Sequence, residues 1–440
     1  MALCDYESDD QLEVAIRREV KIRQHLHLRD CGERQLTDFS SNDFLSLASN
    51  AALGRRFLQR LTSMDSPIMG SSGSRLLVPA PHHIALEAKI TKMWTLSAKR
   101  IDGVSRSRLD ALFFPSGYCA NLGFWSTVPQ DGDVVLYDEF IHASVLDGLR
   151  LGRVGRGLAS AKRFLHNDLV DLDRILQEDA ESVRAGKTRD HNVLVAVETL
   201  YSMEGDITNL SGVLAVVRPF GKRVKVVVDE AHALGVFHLG LSMPPYMKPE
   251  EASEVFARTI TFGKGPGVAG AAMVVPDYVK PYLVATARSF IFSTAPTVFS
   301  VVAVDCALET LDDGTATALA KKLQENIRTL LFLLHKHLSG IPASIASVPI
   351  PAPSSRDTAE RSPVVPILTP HGEAHAIALG AHLRLRCGAQ ANPVGYPAVA
   401  RDATRIRVCV NAGHSHDQLK ALAHGVGEWA HAQLTTNAKL

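Results

Sequence analysis

The residues best suited to chemistry lie between Lys225 and Gly270. Asp229-Glu230-Ala231-His232 offers acids and an imidazole, and Gly263-Lys264-Gly265 offers an amine between glycines. Each group follows a short β-branched run, Val226-Val227-Val228 before the acids and Thr259-Ile260-Thr261-Phe262 before the lysine. Such runs read as buried strands with side chains delivered at their ends, where open α/β sheets bind ligands. Three chemistries compete. Gly265-Pro266-Gly267-Val268-Ala269-Gly270 fits G-x-G-x-x-G, but a dinucleotide fingerprint needs a helix next, and Ala271-Ala272-Met273-Val274-Val275 reads as a strand. The acidic box resembles a helicase box, which needs a phosphate loop; Gly186-Lys187-Thr188 lacks the earlier glycine and follows no strand. In the third reading a lysine among small residues approaches a flat aromatic aldehyde while a carboxylate keeps the ring nitrogen protonated, making the ring an electron sink. That is the chemistry of pyridoxal phosphate. Taken singly, Lys264 would be a lysine in a surface turn and Asp229 an ion-paired aspartate.

Thr261-Phe262-Gly263-Lys264-Gly265 together with Asp229-Glu230-Ala231-His232 resembles the signatures of the α-oxoamine synthases, fold-type I pyridoxal-phosphate enzymes that condense an amino acid with an acyl thioester. The resemblance runs from about Phe39 to Ala423. It implies an α/β fold: a mostly parallel seven-stranded sheet in a large cofactor-binding domain, and a smaller α+β C-terminal domain. The expected division is an arm at 1–50, the large domain at 51–287 and the small domain at 288–440.

The elements that must position these groups are legible as alternating short strands and helical stretches. Ala111-Leu112-Phe113-Phe114 reads as a strand turning at Pro115-Ser116-Gly117-Tyr118 into a helix, whose first, unpaired amides suit a phosphate. Val134 to Tyr137 leads to Asp138-Glu139-Phe140-Ile141-His142, and Val193 to Val197 leads to Glu198 and to Tyr201-Ser202-Met203-Glu204-Gly205-Asp206. By resemblance Gly117 and Tyr118 offer phosphate amides, His142 stacks on the ring and Ser202 touches the cofactor. Thr261 also belongs to the cofactor-binding set. His232 bonds the ring hydroxyl, Asp229 the ring nitrogen, and Lys264 carries the cofactor. Asn42, in Asp38 to Leu45, and Glu198 lie by the substrate. Thr404 to Val410 alternates as a strand with Arg405 and Arg407 on one side; Arg407 matches the arginine that holds the amino-acid carboxylate, a task for a planar fork of donors. The Gly70-Ser71-Ser72-Gly73-Ser74-Arg75 turn matches a segment near the dimer's active sites, and Thr294 in Phe292-Ser293-Thr294-Ala295-Pro296 matches the cofactor-binding threonine that reaches the phosphate of the neighbouring subunit, so the resemblance implies a homodimer. A helix is expected from about His83, an amphipathic one over Leu12 to Leu28, and an irregular loop from Pro349 to Pro363.

Composition sets bounds. The 440 residues carry a formal charge of +1, so no basic excess points to nucleic acid, and no apolar run approaches a membrane span. Six cysteines, Cys4, Cys31, Cys119, Cys306, Cys387 and Cys409, show no C-x-x-C spacing, indicating neither a disulfide framework nor a metal site. Ala438-Lys439-Leu440 is a variant of the Ser-Lys-Leu peroxisomal address, and peroxisomal residence is expected, with the cytosol as second choice.

The activity implied is a decarboxylating condensation of an amino acid with an acyl-CoA thioester, with L-alanine and pimeloyl-CoA as first expectation. A longer acyl or polyketide thioester is the alternative, because Asn392-Pro393-Val394-Gly395-Tyr396-Pro397-Ala398-Val399 lacks the Arg-Pro-Pro-Thr pattern of the pimelate-handling branch. A non-catalytic partner subunit would lack Lys264. A plain aminotransferase or lyase would not explain the residues around it.

Overall fold

The structure is a computed structural model describing residues 36–64, 70–77, 80–99, 108–237, 249–354 and 359–437. The Leu12–Leu28 helix and the Ala438-Lys439-Leu440 tripeptide lie outside the described residues. In chain order the first elements are strand β1 (Thr37–Asp38) and helices α1 (Ala51–Thr62) and α2 (Pro81–Lys99). Next come β2 (Leu109–Phe114), α3 (Gly117–Thr127), β3 (Val134–Asp138), α4 (Ala143–Leu151), β4 (Ser160–Phe164) and α5 (Leu169–Arg184). These are followed by β5 (Val193–Glu198), α6 (Leu210–Val217), β6 (Val224–Asp229), β7 (Ala257–Thr261) and β8 (Ala271–Pro276). Helices α7 (Val279–Thr286), α8 (Arg288–Ile291), α9 (Val298–Asp312) and α10 (Thr315–His337) lead to β9 (Val364–Leu368) and α11 (Glu373–Cys387). Strands β10 (Ala389–Gln390), β11 (Asn392–Val394) and β12 (Arg405–Cys409) and helix α12 (His416–Asn437) close the order.

Strands β2 to β8 form one seven-stranded sheet in the order β2-β8-β7-β6-β5-β3-β4. Only β8 runs against its neighbours; the pairs β3–β4, β3–β5, β5–β6 and β6–β7 are parallel. The strands are apolar on both faces because helices cover both. Along β5, Leu194 and Ala196 pack with Phe124 of α3 and Val145 of α4. Val193, Val195 and Val197 pack on the other side with Leu172 and Leu176 of α5 and Leu210 of α6. Leu86, Ile90 and Trp94 of α2 cover Ala111 and Phe113 of β2 and Ala272 of β8. Among the described residues no helix is long and apolar enough to cross a membrane.

A second, three-stranded antiparallel sheet, β11-β12-β9, shares a core with Ile327 and Leu331 of α10, Leu379 of α11 and Leu422 of α12. The N-terminal arm is tied into this layer. β1 pairs with β10 in parallel, the Cys409 amide donates to the Phe39 carbonyl and that of Ala412 to Phe44. Phe39, Phe44 and Leu45 are buried in the same core, so the arm is held from both ends of its turn and Asn42 is fixed beside β12. Residues 349–354 and 359–363 carry no helix or strand, in line with the expected irregular loop.

Candidate active site

Five loops leave the same edge of the large sheet, because β2, β3, β5, β6 and β7 point the same way. That edge carries Gly117, His142, Glu198, Asp229 with His232, and Thr261 with Lys264. The sequence could place each group at a strand end; only strand order could place them side by side.

Asp229 is nearly buried. Its Oδ1 accepts from the Ala231 amide at 2.9 Å, and its Oδ2 from Asn121 Nδ2 at 2.7 Å, which fixes the carboxylate plane. Glu198 is its register partner on β5. Burial raises the Glu198 carboxyl well above its ordinary range, and the Asp229 charge adds to this. Two neighbouring buried carboxyls resist ionising together, and this resistance acts on Glu198 in the same direction as its burial.

Lys264 sits on a loop that packs tightly. A Cβ on Gly265 would lie 2.2 Å from the Leu234 carbonyl oxygen, and one on Gly267, whose φ is +71°, would lie 2.4 Å from the Ala48 amide nitrogen. Gly265 and Gly267 are therefore demanded by backbone approach, whereas a Cβ on Gly263 would meet nothing nearer than 3.9 Å. Lys264 Nζ lies 3.4 Å from His232 Nδ1. Burial lowers the lysine's pKa while Asp229 and Glu198 push it back up. His232 is held neutral by burial, with Lys264 and Arg407 adding to the effect.

His142 caps α4: its Nδ1 accepts from the Ser144 amide at 3.2 Å. Burial lowers its pKa, Asp229 opposes this and Lys264 reinforces it. At the start of α3, Ser116 Oγ accepts from the Cys119 amide at 3.2 Å, while the Gly117 and Tyr118 amides make no hydrogen bond among the described residues. A Cβ on Gly117 would stand 3.7 Å from Thr261 Oγ1, so the threonine hydroxyl, which donates to the Gly270 carbonyl at 3.3 Å, lies beside the helix start. Tyr118 itself points outward, its hydroxyl donating to Asp147 at 2.6 Å.

Facing this edge is Arg407 of β12. Its Nε donates to the Ser202 carbonyl at 2.5 Å, its Nη2 to Asn42 Oδ1 at 2.8 Å, and its Nη1 lies 2.9 Å from Cys409 Sγ. Arg405 grips the same loop through the Met203 carbonyl and Glu204. Both arginines are buried rather than forming a solvated face. Ser202 thus enters the site by its carbonyl. Thr294 is exposed on the segment whose Ala295 amide donates to the Gly73 carbonyl at 2.9 Å, so the two stretches matched to the dimer's active sites are joined in space.

The donor set fits pyridoxal phosphate. Paired free amides and Thr261 suit the phosphate, Asp229 suits a ring nitrogen, His142 a ring face and Lys264 an aldehyde carbon. Sequence reasoning gave no role to Asn121, Ser144, Thr259 or Cys409. Asn121 had one signal, its place one helical turn after Gly117.

The family model described as aminotransferase class I and II matches residues 34–426. The 8-amino-7-oxononanoate synthase of Emericella nidulans is 30% identical over 414 residues, covering 92% of this chain and 91% of the relative. The aminoacyl transferase sphA of Aspergillus fumigatus is 29% identical over 410 residues, 90% of this chain and 81% of the relative. Among solved structures, the serine palmitoyltransferase of Sphingomonas wittichii superposes with a TM-score of 0.73 at 22% identity, covering 98% of this chain and 100% of that one.

Proposed function

We infer the reaction from membership: the chain belongs to the aminotransferase class I and II family and, within it, to the α-oxoamine synthases, pyridoxal-phosphate-dependent acyltransferases. The reaction proposed is the decarboxylative condensation of L-alanine with pimeloyl-CoA, giving 8-amino-7-oxononanoate for biotin biosynthesis. The observation that carries it is the opposition of two groups. Lys264, Asp229 and His142 stand on the sheet edge, and Arg407 faces them with two of its five N–H groups still uncommitted.

When bound, pyridoxal phosphate supplies an electron sink for the amino acid's α-carbon. Gly117, Tyr118 and Thr261 would hold its phosphate, Asp229 its ring nitrogen, His142 its face and His232 its hydroxyl. Arg407 takes the amino-acid carboxylate on its uncommitted N–H groups, with Asn42 and the Ser202 carbonyl fixing the guanidinium's plane. Lys264 Nζ moves the α-proton, a role served by the burial that lowers its pKa. Glu198, whose carboxyl burial shifts toward the protonated form, lines the substrate space.

A second reading changes the acyl group. Tyr396 is half exposed, with the Arg401 guanidinium 4.4 Å from its ring centroid, in the segment where the pimelate-handling branch carries a threonine and an arginine. The replacement of that pair by a half-exposed tyrosine capped by Arg401 favours a longer acyl thioester. The test follows thiol release from acyl-CoA thioesters of graded length with several amino acids. Highest turnover with L-alanine and pimeloyl-CoA supports the first reading, turnover confined to longer chains supports the second, and no thiol release with any pair sinks both. The proposal includes a homodimer that shares its active sites. It rests on the joined Gly73–Ala295 unit and on exposed Leu77 and Phe292 beside it; light scattering of the purified chain checks the mass.

A further inference from the structure

We propose that Asn121 is the positioning residue that binds Asp229 and His142 into one unit, fixing the charge and the ring tautomer these two present to the cofactor. The proposal rests on the pyridoxal-phosphate reading above.

Asn121 lies on α3, fully enclosed. Its amide has two donor hydrogens and one acceptor oxygen, and all are engaged. One hydrogen goes to Asp229 Oδ2 at 2.7 Å, the other to Ser144 Oγ at 3.0 Å, and the oxygen accepts from Thr259 Oγ1 at 2.6 Å. The orientation has no alternative. Turning the amide over would set its oxygen against a carboxylate that only accepts.

The consequence reaches His142. Ser144 Oγ spends a lone pair on Asn121, so its proton is free for His142 Nδ1, 2.6 Å away. Nδ1 also accepts from the Ser144 amide at 3.2 Å. With two donors aimed at Nδ1, the neutral ring carries its hydrogen on Nε2. Asp229, at the end of β6, and His142, the cap of α4, are thereby held to one arrangement by a residue that reaches the cofactor only through them. The other groups facing Asp229 are Glu198 of β5, Lys264 after β7 and the Ala231 amide. None of them joins Asp229 to Ser144.

The test uses the full chain stripped of cofactor and titrated with pyridoxal phosphate by fluorescence between pH 6 and 9, with unfolding midpoints of the cofactor-free protein as the control for folding. Asn121→Asp keeps the shape but replaces a donor by a second carboxylate. Affinity at the alkaline end is expected to fall by about tenfold or more, the scale of a lost charge-assisted hydrogen bond. It should recover toward wild type as pH falls, because the new carboxyl, once protonated, donates again. Should this variant not fold, Thr259→Val decides the matter: it releases the amide oxygen without touching Asp229 or the cofactor, and affinity is expected to fall by about threefold or more. Wild-type affinity with a wild-type pH profile in whichever variants fold would overturn the proposal. Failure of the unmodified chain to take up pyridoxal phosphate would instead remove the reading on which it rests.

Discussion

Arg407→Lys separates carboxylate binding from cofactor binding. The guanidinium is buried, and three of its five N–H groups are spent on the Ser202 carbonyl, Asn42 Oδ1 and Cys409 Sγ. One N–H on each Nη remains for a carboxylate oxygen. A lysine has the charge but too few donors to keep the Ser202, Asn42 and Cys409 contacts while also donating to a carboxylate. Losing one hydrogen bond to a charged group costs about 1.5–3 kcal/mol, or about 10- to 150-fold in affinity. The assay is a spectral titration of the cofactor-loaded variant with the amino acid, beside a titration of the stripped protein with pyridoxal phosphate. The amino acid should weaken by that factor while the cofactor changes less than about threefold. An unchanged amino-acid affinity would refute the assignment. An equal loss for both ligands would mean that Arg407 supports the cofactor site as a whole.

Asp229→Asn should lower turnover by about two to three powers of ten, because a neutral amide cannot keep the ring nitrogen charged; single-turnover kinetics with preserved circular dichroism would show it, and unimpaired α-proton exchange would contradict it. Gly265→Ala should cost about 1–3 kcal/mol or more in stability and displace Lys264, since the added Cβ meets the Leu234 carbonyl oxygen at 2.2 Å; a wild-type urea midpoint would count against the tight loop. His166 lies between Asp138 and Asp206, each at 2.8 Å. Burial pulls its pKa down, but these carboxylates outweigh burial and hold it up to about 10. A folded pKa raised above the unfolded value gives stability that is complete below about pH 6.5 and lost as pH rises through about 10, with an upper bound of about 4–5 kcal/mol. His166→Gln should flatten that loss in urea unfolding at pH 6 to 10.5, and an identical pH slope in the variant would remove the imidazolium from the account.

The strands and the motifs that end them were legible because their signals are local. Val193 to Val197 and Val226 to Val228 are short, β-branched and closed by an acid, and they became β5 and β6 ending in Glu198 and Asp229. The glycines around Lys264 read as small residues that let the lysine approach a flat aldehyde; the structure adds that Gly265 and Gly267 lie against the Leu234 and Ala48 backbone. Glu198 could be given a place by the substrate. The upward shift of its carboxyl comes from burial and then from Asp229 opposite it in the parallel register of β5 and β6, which no local pattern specifies.

The hydrogen-bond network beneath the site was illegible for the same physical reason. Asn121, Ser144 and Thr259 are polar residues of ordinary kind within a helix, at a helix start and in a strand, and the partners of Asn121 lie 23, 108 and 138 residues away in sequence. Their orientation follows from donors and acceptors meeting where α3 crosses the ends of β6 and β7. Arg407 divides in the same way. Its residue type and strand position determined that a carboxylate fork could be built there, while the arm folding onto β12 decided which N–H groups Asn42 and Ser202 would occupy and which would remain for substrate. Local covalent pattern thus fixed which chemical groups stand at the strand ends, and tertiary packing decided their protonation, tautomer and free valence, because those depend on neighbours that only the folded chain brings within 3 Å.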